Sequence, residues 1–462
     1  MNAHLSRREL LTRSALGFGA LAAADLLAAI AGPQDAAAAA RTLPVRAKRV
    51  IFLFMHGGPS QVDTFDWKPL LHRDDGKPLP FAKPRIQFAQ TGNLMRSPWK
   101  FTQHGQSGSW ASALFPNVAK HVDDLCFVKS LHGTNPAHGG ALLSLHTGSD
   151  TFVRPSMGSW ILYGLGTENR DLPGFITISP TLGHGGVQNW SSAFLPGSFQ
   201  GSPVGRAGLP TKDARLRHLD DPSRLPDARA DDLALLRELN RVAKDPASHD
   251  PMLDAQVEAF ELAFRMQAQA PDAFDVSKES AETKKLYGID QPGTDDFGRQ
   301  CLLARRLSER GVRFVQCSHS YKWDQHEQLK EMHEKNAAEV DLPIAGLLAD
   351  LKGRGLLKDT LVVWAGEFGR TPTMQGNKGR DHNPHGFTIW MAGGGVKGGF
   401  SYGETDDYGF YAVRDKVHVH DFHATLLALL GLDHEKLTWR HAGRDFRLTD
   451  VSGRVVTELF AS

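Results

Sequence analysis

The sequence is poor in cysteine. Its three cysteines, Cys126, Cys301 and Cys317, show no Cys-x-x-Cys or Cys–His spacing. That excludes a disulfide scaffold and a cysteine-built zinc finger. Cys126 and Cys317 lie in apolar runs, so burial without a bridge is expected. Charge of one sign is also missing: 53 Lys and Arg stand against 52 Asp and Glu. Nothing here attracts nucleic acid or an anionic membrane electrostatically. No run is a good candidate for a stable span, with an uncleaved anchor near the start of the chain the lesser alternative to a signal. The best, Ala15 to Ala31, carries Asp25, two glycines and many alanines, short of the roughly 20 strongly apolar residues required. Two familiar catalytic signatures are absent as well. Gly393-Gly-Gly-Val-Lys-Gly-Gly399 lacks the Gly-Lys-Ser/Thr ending of a phosphate loop, and His56-Gly-Gly-Pro-Ser60 is not a Gly-x-Ser-x-Gly elbow.

What is present begins with an address. Ser6-Arg7-Arg8-Glu9-Leu10-Leu11, the apolar stretch after it and the small residues Ala36 to Ala40 read as a twin-arginine signal over residues 1–40. The expectation is a protein exported by the twin-arginine machinery to the periplasm or cell surface, with no stable membrane span in the mature chain. Residues 45–455 read as a single domain with a large core. Arg49–Met55 is a continuous apolar run ending in a Gly-Gly-Pro turn, and Leu125–Lys129, Phe175–Ser179, Val312–Ser318, Thr360–Ala365 and Phe387–Ala392 repeat its shape. Between them, 231–243, 252–270, 299–309, 337–352 and 421–430 have helical period. Strands buried on both faces and alternating with helices predict a three-layer α/β/α sandwich around a mostly parallel sheet. Lys68 to Ser109 and Gly183 to Arg229 are rich in turn residues and read as long insertions over the sheet's working edge.

In such sheets ligands collect beyond the carboxyl ends of the strands. Four segments there are rich in histidine and carboxylates: His56 to Asp66; His132 to His138, leading into a helix ending His146-Thr147-Gly148; His319 to His326; and Glu367 to His385, which includes Arg370, Arg380, Asp381 and His382. Imidazoles and carboxylates hold Zn²⁺ or Mn²⁺, and carboxylates with amides hold Ca²⁺ or Mg²⁺. A divalent ion of one of these kinds is the expected cofactor. Arg370 and Arg380 are candidates to grip an oxyanion. The competing account is an Asp–His–Arg network that only braces loops.

Gly57-Gly-Pro-Ser-Gln-Val-Asp63-Thr-Phe-Asp66-Trp-Lys-Pro69, Trp323-Asp-Gln-His326, Glu367-Phe-Gly-Arg-Thr-Pro372, Gly379-Arg-Asp-His-Asn383, Gly393–Gly399 and Ala424-Thr-Leu-Leu-Ala-Leu-Leu-Gly431 together resemble the exported bacterial family of unknown function numbered 1501. The resemblance spans the mature chain. It implies membership of the alkaline phosphatase and sulfatase superfamily, an α/β/α sandwich and a metal-centred hydrolytic site. In that superfamily the nucleophile heads a helix ten residues before the glycine of a Thr-Gly pair. Here that position is His138, which leaves nucleophile, acid–base and metal-ligand roles open. His56 stands where the superfamily's first metal-binding aspartate is found, with Asp63 seven residues on. Glu367-Phe368 replaces its later Asp-His pair, which Asp381-His382 follows shortly.

The resulting expectation is an exported metal-dependent hydrolase of a phosphate or sulfate ester, its partner an anionic small molecule or polysaccharide ester. His138 is the catalytic candidate. Metal candidates are His56, Asp324, His326, Glu367, Asp381 and His382; substrate candidates are Arg370, Arg380 and His385. The alternative is a non-catalytic binding or surface-assembly protein of the same fold.

Overall fold

A computed structural model describes residues 33–82, 91–215 and 270–462, with positions 235, 238, 261, 262, 265 and 266 between them. The arginine pair and apolar stretch of the expected signal, and almost all of the helices expected at 231–243 and 252–270, lie outside the described residues.

Among the described residues nine strands form one sheet: β1 (Arg49–Met55), β2 (Leu125–His132), β3 (Phe175–Ile178), β4 (Ser202–Val204), β5 (Phe314–His319), β6 (Thr360–Ala365), β7 (Phe387–Ala392), β8 (Phe400–Tyr402) and β9 (Val417–His418). Their order is β8-β2-β7-β6-β1-β5-β3-β4, with β9 also beside β2. All run parallel except β7, which is antiparallel to both β2 and β6. The described helices that matter are α1 (Pro33–Ala40), α2 (His138–Thr147), α3 (Met157–Leu165), α4 (Asp295–Glu309), α5 (Leu329–Gly353) and α6 (Val419–Leu429).

The apolar run of β1 is continuous because both of its faces are covered. Ile51, Leu53 and Met55 join one core with Cys301, Leu302 and Leu307 of α4 and Val340, Ile344 and Leu348 of α5. Val50, Phe52 and Phe54 join the opposite core with Leu142 and Leu145 of α2, Trp160 and Ile161 of α3, and Leu426 and Leu427 of α6. Two cores on two faces of one sheet make the α/β/α sandwich that the alternation of strands and helices predicts. The three cysteines are buried and unbridged. Among the described residues no helix is long and apolar enough to cross a membrane.

Two segments expected to be irregular insertions carry regular structure. Lys68 to Ser109 supplies the short helix Pro69–Arg73 and the strand Phe101–His104, which pairs with Ser109–Ser112. The stretch expected to be an irregular insertion after Gly183 supplies strand β4, whose Pro203 pairs with Thr177. With only three residues and a proline, β4 carries little strand signal, and a proline suits the edge place it occupies. The Ala36–Ala40 run belongs to α1. Ala37 and Ala40 are buried in the core beside α3, and the Ala40 carbonyl accepts a 2.8 Å hydrogen bond from the Asp433 amide.

Register explains the position of the site. Met55 lies opposite His319, and Phe54 opposite Ala365, so the loops after β1, β5 and β6 leave the sheet at one level. The loops after β2 and β3 leave at the same edge. Antiparallel β7 starts there, so it brings to that edge the residues that precede it, Asp381 to His385.

Candidate metal centre

Asp324 is the hub of this edge. Its Oδ1 lies 2.9 Å from His326 Nε2, 3.2 Å from His138 Nε2 and 3.2 Å from His382 Nε2, and accepts a 2.7 Å hydrogen bond from Arg370 Nη2. These four residues, His138, Asp324, His326 and His382, each offer a ligand atom within 4.8 Å of the others.

The chain around Asp324 is fixed from two sides. The amides of Lys322 and Trp323 donate to the His56 carbonyl at 3.1 and 3.0 Å. This brings the turn after β1 so close that a Cβ on Gly57 would stand 2.6 Å from the Asp324 amide nitrogen; Gly57 also has φ +113°. Only glycine fits both demands. From the other side the Trp323 indole donates to His319 Nδ1 at 2.9 Å, and His319 Nε2 lies 2.9 Å from Glu339.

The imidazoles are oriented by their far nitrogens. His382 Nδ1 lies 2.7 Å from the Pro136 carbonyl. A carbonyl can only accept, so that nitrogen carries the proton and Nε2 presents its lone pair in the neutral ring. His326 Nδ1 meets the Gln375 side-chain oxygen at 2.5 Å, which orients its ring the same way. The two Nε2 atoms are 2.9 Å apart. In the neutral state their lone pairs and the Asp324 carboxylate face one another, an arrangement that a cation satisfies. His138 opens α2, and its Nδ1 lies 2.6 Å from Glu367 Oε1, with Nε2 turned towards Asp324. A carboxylate behind an imidazole is the outer partner that orients metal-binding histidines. Three imidazoles and one carboxylate fit Zn²⁺ and its neighbours better than Ca²⁺ or Mg²⁺.

The charges follow from these contacts. Burial opposes ionisation of His138, but hydrogen bonds to Asp324 and Glu367 outweigh it and leave its pKa raised. The Asp324 contact raises His326. Asp324 is held far below the usual carboxylate range: burial works against this, and His138, His326, His382 and Arg370 overcome it. Glu367, fully buried, is lowered to about 2, its burial offset chiefly by His138.

The other predicted residues fall into two groups. His56, His138 and His184 form a second imidazole cluster, with His56 Nε2 3.3 Å from His184 Nδ1; burial lowers His56 to about 4. Glu367 is not one of the four and instead stands behind His138. Its oxygens accept the Gly57 amide at 3.0 and 3.1 Å as well as His138. Asp381 stands behind His326, 3.9 Å from its Nδ1.

The two arginines expected to grip an anion are placed differently. Arg370 is fully buried and donates to the carbonyls of Gly57, Gly58, Trp323 and Arg380 and to Asp324. Arg380, also fully buried, pairs with Asp63 at 2.6 and 3.1 Å and donates to Thr371 and Met95 carbonyls. Their donors are spent on the scaffold, because each guanidinium sits where several loop carbonyls need partners. His385 packs against Phe410 and Tyr411 and is outside both clusters.

Two residues at the site were not singled out by the sequence. His184 comes from the segment after β3, and Tyr321 from the turn after β5, with its ring centroid 5.0 Å from those of both His56 and His184. The one local signal was Gly183-His-Gly-Gly186, a histidine among glycines.

Fold and site define an α/β/α protein with an imidazole-rich candidate metal centre at the carboxyl edge of its sheet. Residues 47–460 match the family described as "Protein of unknown function (DUF1501)", and the chain belongs to it. No curated protein sequence matches the chain. Among solved structures the chain is similar to the alkaline phosphatase from the Antarctic bacterium TAB5, at 10% identity and a TM-score of 0.37, over 85% of this chain and 99% of that one. It is also similar to the PsFucS1 sulfatase from Pseudoalteromonas sp. (13% identity, TM-score 0.36, 84% and 69%). A third is the lipoteichoic acid synthase LtaP from Listeria monocytogenes (9% identity, TM-score 0.36, 89% and 79%).

Proposed function

We propose that this protein is an exported metal-dependent hydrolase of a phosphate or sulfate ester, with His138, Asp324, His326 and His382 as the residues that hold the ion. The observation that carries this reading is the convergence of three imidazole nitrogens and one carboxylate oxygen whose outer atoms are already oriented by Pro136, Gln375 and Glu367. A divalent ion held there polarises a phosphoryl or sulfuryl oxygen. Glu367 keeps the His138 proton on Nδ1 and so aims Nε2 at the centre. His56 and His184 line the side facing the loop after β3. Folded export by the twin-arginine route suits a centre loaded before transport.

A second reading is favoured by one feature. The first position of α2 holds an imidazole engaged at Nδ1 by Glu367, where an ester hydrolase that works through a covalent intermediate needs a free nucleophile. On that reading the chain is a non-catalytic binding or surface-assembly protein for an anionic ester or polysaccharide.

Mass spectrometry of protein exported by its native host tests the first reading, together with turnover of a panel of phosphate and sulfate esters. One bound divalent ion and turnover lost in His138→Ala are the expected results. A folded, metal-free sample would sink it, and anion binding without turnover would establish the second reading. His138 and His326 must each shed a proton to bind an ion, so uptake is expected to be tighter at pH 8 than at pH 6. Glu367→Gln is expected to weaken ion affinity about 10- to 100-fold in a chelator competition.

A further inference from the structure

Ten non-glycine residues among those described have positive φ. Five of them, Ser179, His184, Tyr321, Gln328 and Lys378, stand on the loops around this one edge. For a tyrosine the left-handed region is a true outlier, because a bulky side chain crowds the backbone there. Surroundings that hold such a residue there impose the strain, and strained residues gather at binding sites. Tyr321 (φ 53°) and His184 (φ 48°) face each other across two different loops, ring centroids 5.0 Å apart. The loops are tied together by the Ser320 hydroxyl, which donates to the Ser179 carbonyl at 2.7 Å. Beneath Tyr321 lie His56 at 5.0 Å and His138 at 5.9 Å between centroids, yet Tyr321 remains 51% exposed. Leu182 and Val187, on the same loop as His184, are also exposed. With Arg370 and Arg380 consumed by the scaffold, the exposed ring beside the imidazoles is that of Tyr321, where a guanidinium was expected.

We propose that Tyr321, backed by His184, is a substrate-contacting platform that binds the organic portion of the ester through a ring with an apolar face. This rests on the hydrolase reading of the same site and adds the class of substrate: an ester of an aryl or sugar hydroxyl, not of a small aliphatic one. Stacking on an aromatic face favours a ligand that offers a ring over one that does not.

The test uses non-hydrolysable pairs that share an anion and differ in the ring. Binding of phenylphosphonate against methylphosphonate, and of benzenesulfonate against methanesulfonate, is measured by isothermal titration on the metal-loaded full chain. Wild type, Tyr321→Gly and Tyr321→Asn are compared, and the melting temperature of each is recorded. Wild type is expected to prefer the ring-bearing member of at least one pair about tenfold or more. Both variants should lose that preference and keep the affinity for the ring-free member. Glycine and asparagine accept positive φ, so their melting temperatures should stay level or rise. Equal binding of both members by wild type would overturn the proposal, as would a preference that survives in both variants. A sharp fall in melting temperature in both variants would also overturn it, by making the ring a structural prop. A metal-free wild type would instead remove the hydrolase reading; a ring preference in that sample that both variants lose would still support the platform, and its absence would overturn it.

Discussion

Asp324→Asn is expected to abolish stoichiometric ion binding and to lower stability by about 2 kcal/mol, the scale of a hydrogen bond to a charged group. Asp324 is the one carboxylate in the four-residue cluster, and its Oδ1 meets three imidazoles and the fully buried Arg370. The amide keeps the shape and removes the charge. Arg370 is then a buried cation without its anion, and His326 loses the contact that raises its pKa. Metal content by mass spectrometry and the urea midpoint measured on the same preparation separate the two effects. A variant that still binds one ion at wild-type affinity would show that Asp324 only braces Arg370.

Arg380→Met should be more damaging to the fold. Arg380 and Asp63 are both fully buried and meet at 2.6 and 3.1 Å. Removing one partner of such a pair leaves an uncompensated charge and costs about 3–5 kcal/mol, whereas replacing both with apolar groups is often close to neutral. The paired variant Asp63→Leu/Arg380→Met should therefore recover much of the loss in urea denaturation at pH 7. The pair also has a pH signature. Burial alone would raise Asp63, but the Arg380 guanidinium and the Ser60 hydroxyl hold it below its ordinary value. A carboxylate with a depressed folded pKa stabilises fully above its unfolded pKa, and that contribution fades as pH falls through the folded value. Stability of wild type should drop between about pH 4 and lower values, and the Asp63→Leu/Arg380→Met variant should lack this part of the dependence.

Much of this architecture was legible in the chain. The run Arg49–Met55 is apolar at every position after Arg49, and its odd and even residues enter two different cores. A strand buried on both faces leaves that mark in sequence, and so do the helices that cover it. Residue chemistry at the strand ends was legible too: His138, Asp324, His326 and His382 were all marked by their histidine and carboxylate types, and they meet. Short edge strands such as Ser202–Val204 were not, since three residues carry no period.

Roles within the site were beyond the sequence. Arg370 and Glu367 stand in one motif, but only the tertiary arrangement shows Arg370 consumed by the carbonyls of Gly57, Gly58, Trp323 and Arg380 and Glu367 standing behind His138. Strand direction was equally hidden: an antiparallel β7 is what carries Asp381 and His382 to the edge reached by the parallel strands. His184 and Tyr321 escaped notice because backbone strain has no residue code outside glycine. The sequence by itself determined which groups could hold an ion and which layers would bury them, because burial and ligand chemistry belong to residue type. Which donors remain free, which proton faces the centre and which ring stands over it were decided by tertiary structure, because they depend on the partners that distant loops bring within three ångströms or so of each other.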